Sequence, residues 1–168
     1  MIFDKIEREC HAYPLGDKTN ASEKLILAEM INNSIPDSLD SLYTEIDYRS
    51  MGVASPVSFA YMQTESNPPG RGSFDILLAP GGHNTWSALA QMRWLGGRIG
   101  KLSIPLCASP GGDLVVLVVG GRLNGLCYWK HDEIGPEGEI GLGNLHLICR
   151  TIDDFERKCT YPIIMDDE

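Results

Sequence analysis

Four histidines (His11, His83, His131, His146) and five cysteines (Cys10, Cys107, Cys127, Cys149, Cys159) are the side chains best placed to do chemistry near neutral pH. A cysteine and a histidine together can serve as nucleophile and base. Here no cysteine stands in a recognisable nucleophile motif, and no G-x-S-x-G elbow occurs. C-x-x-C pairs are missing, which argues against zinc, and an odd cysteine count does not suit a disulfide framework. Cys107, Cys127 and Cys149 sit inside apolar runs, where a thiol behaves as a small hydrophobe. No cysteine is therefore expected to be catalytic or disulfide-bonded. His146 alternates with Leu145 and Leu147 and is expected on a strand's outer face. His131-Asp132-Glu133 offers metal-ligand types, but neighbours on a strand point to opposite faces, so no metal and no cofactor are expected. A small hydrolase using His83 or His131 stands as the enzymatic alternative, with no catalytic residue assigned.

Glycine-rich turns are the other candidates. Gly111-Gly112 precedes a strand and Gly120-Gly121 lies between two strands, so neither offers the helix N-terminus that binds phosphate. No Walker or dinucleotide fingerprint is present. Gly111 and Gly112 are read as supplying unusual backbone angles at the entry to a buried strand. Pro80-Gly81-Gly82-His83 is better placed, because a helix is expected after it, and leaves a small ligand near Gly81–His83 open.

The elements that position these residues follow from periodicity. Asn20-Ala-Ser-Glu23 forms a capping-box pattern ahead of Leu27, Met30 and Ile31. A second helix after Pro36 carries Leu39, Leu42, Tyr43 and Ile46 on one face. Residues 51–72, with Pro56, Pro68 and Pro69, read largely as loop, then a short strand at 74–79 and a helix carrying Trp86, Leu89, Ala90 and Met92. Strands are predicted at 103–108, 113–119, 125–130 and 146–149. The unbroken apolar run Leu114–Val119 predicts a central strand covered on both faces. One of Tyr128 and Trp129 is expected in the core. Thr151 caps a closing helix with Ile152, Phe155 and Cys159 on one face. The order predicts one α+β domain over residues 1–159, with N-terminal helices and a closing C-terminal helix on a mainly antiparallel sheet. Residues 160–168 form an acidic tail.

Net charge is −9 over 168 residues, and residues 132–168 hold 10 acids against 3 bases. Such a chain is a poor nucleic-acid binder and a plausible partner for a basic protein. No apolar run approaches the roughly 20 residues of a membrane helix, and the N-terminus lacks a signal-type apolar region. Cysteine usage points to the cytosol.

Several segments, in order, resemble the SUKH superfamily of fungal cell-wall assembly regulators and bacterial immunity proteins. Ile104-Pro-Leu-Cys-Ala108 is similar to its "iPia" strand, and Gly111-Gly-Asp113 to its Gly-Gly-Asp/Asn turn. Gly125-Leu-Cys-Tyr-Trp-Lys-His-Asp132 resembles "GkVyfwdHd", and Leu147–Phe155 resembles the ending "iAdSFeeFl". Ser34-Ile-Pro36 with Leu39–Tyr43 is similar to the "LPedykeFy" helix. The chain departs from the pattern at Met51-Gly52, where "nGg" is reduced, and at Ile152, which occupies the "AdSF" serine position. Residues 51–101 lie largely outside the match.

The resemblance implies an α+β fold, no cofactor and function by protein binding, most directly neutralisation of a cognate, basic, nuclease-type toxin. A regulatory scaffold of the cell-wall assembly type is the alternative. The partner surface is expected at Trp129, Asp132, Glu133, Glu137, Glu139, Asp153 and Asp154, which fall in or beside the segment carrying most of the charge.

Overall fold

The structure is a computed structural model that describes residues 2–32, 34–62, 69–99, 103–109, 111–121, 123–132 and 145–162. Among the described residues, five helices accompany an antiparallel sheet of eight strands, an α+β fold closed by a C-terminal helix.

The helical layer forms as local chemistry dictates. Helix α1 (Ile2–Cys10) buries Ile6 and Cys10 and leads into a short strand, β1 (Ala12–Leu15). Helix α2 (Ala21–Met30) begins with the capping box: Glu23 N–H donates to the Asn20 side chain at 2.9 Å, and Asn20 N–H donates to the Glu23 carboxylate at 2.8 Å. Helix α3 (Asp37–Glu45) follows Pro36, which occupies the cap itself, and buries Leu39, Leu42 and Tyr43. A fourth helix, α4 (Ala88–Leu95), runs into a 3-10 turn at Gly96–Ile99.

The sheet begins where the sequence suggests loop. Residues 50–61 form the longest strand, β2 (Ser50–Tyr61), paired with β1, with β3 (Gly70–Leu77) and with the two-residue β8 (Cys159–Thr160). Its register with β3 shifts between Gly52 and Val57, and Pro56 sits inside that irregularity. A bulge tolerates a residue that cannot donate to the ladder. Proline thus bends β2 rather than ending it.

From β3 the chain continues through β4 (Ser103–Ala108), β5 (Leu114–Val118), β6 (Gly125–Trp129) and β7 (Leu145–Cys149) as consecutive antiparallel neighbours. All residues of these last four strands are buried. β5 is an interior strand as expected, one place from the middle of the β1–β7 order.

The second face of β6 and β7 is covered because the sheet curls. Met62 N–H donates to the Leu147 carbonyl at 2.8 Å, so the end of β2 meets the last long strand. Phe59 packs edge-on to Tyr128, and Tyr61 lies over Tyr128 and His146, 5.7 and 4.7 Å between ring centres. His146 is consequently buried, not on an outer face, and Tyr128 and Trp129 are both in the core. Helix α5 (Ile152–Lys158) closes the fold, with Phe155 against Phe59 and Phe74. The helix ends before Cys159, which instead pairs with Phe59 in the sheet. The folded body therefore runs past residue 159 through Thr160 and the partly buried Tyr161; residues 163–168 of the expected tail lie outside the described residues.

Candidate functional site

Pairing of Leu114 with Trp129 brings the residue entering β5 beside the residues leaving β6. Asp113 is the hub of this end. Its Oδ2 accepts the Tyr128 hydroxyl at 2.6 Å, and its Oδ1 accepts the His131 backbone N–H at 3.0 Å. His131 Nδ1 lies 2.8 Å from the same Oδ1. A carboxylate facing a ring nitrogen requires the proton on that nitrogen, so in the neutral ring Nδ1 donates and Nε2 is left as an acceptor.

Burial works against the charge on Asp113. The hydrogen bonds from Tyr128 and His131 outweigh it and hold the carboxyl below the usual carboxylate range. Burial and the hydrogen bond to Asp113 push the Tyr128 phenol up.

The backbone fits this arrangement. Gly112, with φ +92°, supplies the left-handed turn expected of this glycine pair. Arg98, from the 3-10 turn, donates to the His131 carbonyl at 3.1 Å and sits 5.4 Å from the Trp129 ring centre. Residues 131 and 132 form a turn, not a strand, so adjacent side chains need not point to opposite faces. Ligand-type atoms of Asp113, His131 and Asp132 lie within 4.8 Å of one another.

The expected partner surface is divided. Trp129 is fully buried and cannot anchor a partner. Asp132 is exposed at the hairpin end, whereas Glu133, Glu137 and Glu139 lie outside the described residues. Asp153 and Asp154 follow β7, whose register sets Cys149 against Leu126 and Leu145 against Trp129. They therefore stand at the opposite end of the β6–β7 ladder from Asp132, and the closing helix does not bring them to it. Asp154 is also engaged locally. It caps α5 with Thr151 and pairs with Arg157, and these bonds, Arg157 first, hold its carboxyl low.

A second site is formed by the glycine turn and α4. A cleft of about 360 Å³ opens between Glu23, His83, Arg93 and Trp94. Most of its polar atoms already serve the fold. His83 Nδ1 accepts backbone N–H groups of Thr85 and Trp86 at 3.1 and 2.9 Å, leaving Nε2 to carry the proton of the neutral ring. Glu23 accepts the Gly82 N–H at 3.0 Å, and Gly81 N–H donates to the Thr19 hydroxyl at 3.0 Å. Gly82, at φ +80°, would place a Cβ 2.1 Å from the Asp17 carbonyl oxygen. The glycine turn is thus stitched to the start of α2, and its Gly81 and Gly82 amides are already used.

What the cleft does present is its rim. Trp94 is 76% exposed and Arg93 is exposed. Sequence reasoning misses Trp94 because it falls beside apolar helix residues and resembles core.

All five cysteines are free thiols, four of them buried. Burial pushes Cys149 up to about 11 and Cys127 and Cys159 up to about 12. Among the described residues no serine, threonine or cysteine hydrogen-bonds to the His131 ring. No described helix is long and apolar enough to cross a membrane. Compared with known proteins, the chain matches no family model, no curated protein and no solved structure.

Proposed function

We propose that this is a non-enzymatic protein-binding domain that acts by covering its partner, in the manner of a toxin-neutralising immunity protein. The observation that carries the binding reading is the rim of the α4 cleft. Tryptophan and arginine dominate the energetics of protein interfaces, and here Trp94 and Arg93 are adjacent and solvent-facing beside a concavity. The toxin-neutralising type rests on the ordered SUKH-like segments and on the net charge of −9, which suits a basic partner such as a nuclease. The segments occupy β4, the turn into β5, β6, and β7 with α5 as successive elements. A scaffold of the cell-wall assembly type would use the same surface.

A hydrolase reading draws on one observation, the Asp113–His131 pair, which has the form of an oriented general base. It needs a cleft and a nucleophile or water at His131 Nε2.

The test is co-expression with a toxin-like product encoded beside this gene. Restored growth together with a purified complex of the two chains supports the reading. Trp94→Ala should weaken that complex by about 2–4 kcal/mol, roughly 30- to 1,000-fold, without altering the melting temperature. Protection without any complex, or with the toxin chemically altered, would refute binding by occupancy.

A further inference from the structure

We propose that Asp113, His131 and Asp132 form a binding site for a divalent first-row transition ion. Each of the three offers one ligand atom, and these atoms lie within 4.8 Å of one another. Two carboxylate oxygens and one imidazole nitrogen form a mixed hard and borderline set, of the kind that takes manganese, iron, cobalt or zinc as divalent ions.

The spacing favours a particular geometry. With metal–ligand bonds of about 2.1 Å, neighbouring ligands stand about 3.0 Å apart in an octahedron and about 3.4 Å in a tetrahedron. Asp113 Oδ1 and His131 Nδ1 are 2.8 Å apart, close to an octahedral edge. The ion takes the place of the Nδ1 proton between them, the neutral ring carrying its proton on Nε2 instead, and Asp132 moves in as the third ligand. The remaining three positions are left to water.

The surrounding bonds suit this role. The Tyr128 hydroxyl holds Asp113 Oδ2 at 2.6 Å, which turns Oδ1 toward the histidine. The His131 backbone N–H fixes the distance between hairpin end and carboxylate. Outer hydrogen bonds of this sort orient ligands and commonly change metal affinity by about 10- to 100-fold. His131 and Asp132 are exposed, so an ion has free access, and the acidic chain attracts cations.

The experiment uses the full chain after chelator treatment. Calorimetric titration with Zn2+ measures affinity, and Mn2+ added to the 15N-labelled protein locates the ion by relaxation broadening. We expect one equivalent of Zn2+ to bind with micromolar affinity, and Mn2+ to broaden first the amides of Asp113, His131 and Asp132. His131→Gln and Asp132→Asn should each weaken Zn2+ binding by at least about tenfold, whereas His11→Gln should not. Both substitutions are at exposed positions, and their melting temperatures confirm folding. Absence of binding at millimolar Zn2+ would overturn the proposal, as would wild-type affinity in either variant or broadening centred elsewhere.

Discussion

Replacing Asp113 by alanine tests the central feature of the hairpin end. The carboxylate accepts three donors: the Tyr128 hydroxyl, the His131 backbone N–H and the His131 ring. Its side chain is only 19% exposed, so the loss is not fully recovered by water. A hydrogen bond to a charged group contributes about 1.5–3 kcal/mol, and the half-exposed His131 contacts contribute at the low end. We expect Asp113→Ala to cost about 3 kcal/mol at pH 7. For a chain of this size that lowers the melting temperature by about 6–12 °C.

Tyr128→Phe alone should cost about 1–2 kcal/mol, and the double variant less than the sum, because both changes remove one shared bond. The pH dependence has a defined sign. The native Asp113 carboxyl lies below its unfolded value of about 3.9, so its contribution is complete above that value and is lost as pH falls through the native one. The gap between wild type and Asp113→Ala should therefore be full at pH 7 and narrower at pH 3. Urea melts at both pH values make the measurement. A cost below about 0.5 kcal/mol at pH 7, or a gap that does not change with pH, would show that Asp113 is a solvated loop carboxylate.

Trp129→Ala should destabilise the chain by about 3–5 kcal/mol in urea melts, as expected of a core aromatic and not of a partner anchor. Native thiols should react with a disulfide reagent far more slowly than unfolded ones at pH 7, since burial pushes all five of them up; one fast native thiol would contradict this. Gly82→Ala should lower stability by about 1–3 kcal/mol, because the new Cβ meets the Asp17 carbonyl at a left-handed backbone angle; equal melting temperatures would refute it.

Features carried by neighbours in the chain are legible in the amino-acid order itself. The Asn20–Glu23 capping box, the Leu39–Tyr43 stripe, the Thr151 cap and the buried run at Leu114–Val118 all form where residue type and periodicity place them. In each, the deciding interactions span a few residues, so sequence alone determines these helix starts, the position of β5 and the α+β class. β2 reads as loop because Pro56 is a breaker by its local chemistry. Only pairing with β1, β3 and β8 shows that it occupies a bulge.

The candidate sites depend on tertiary structure. Asp113 and His131 are 18 residues apart and meet only because the β5–β6 register sets Leu114 against Trp129. The same ladder logic, extended through β7, separates Asp132 from Asp153 and Asp154. Trp129 and Trp94 are both aromatic residues in apolar surroundings, with nothing in their neighbours to rank them. Packing buries the first completely, while α4 leaves the second 76% exposed. Exposure depends on which distant elements cover a residue, and that covering is a property of the packed chain rather than of any local segment.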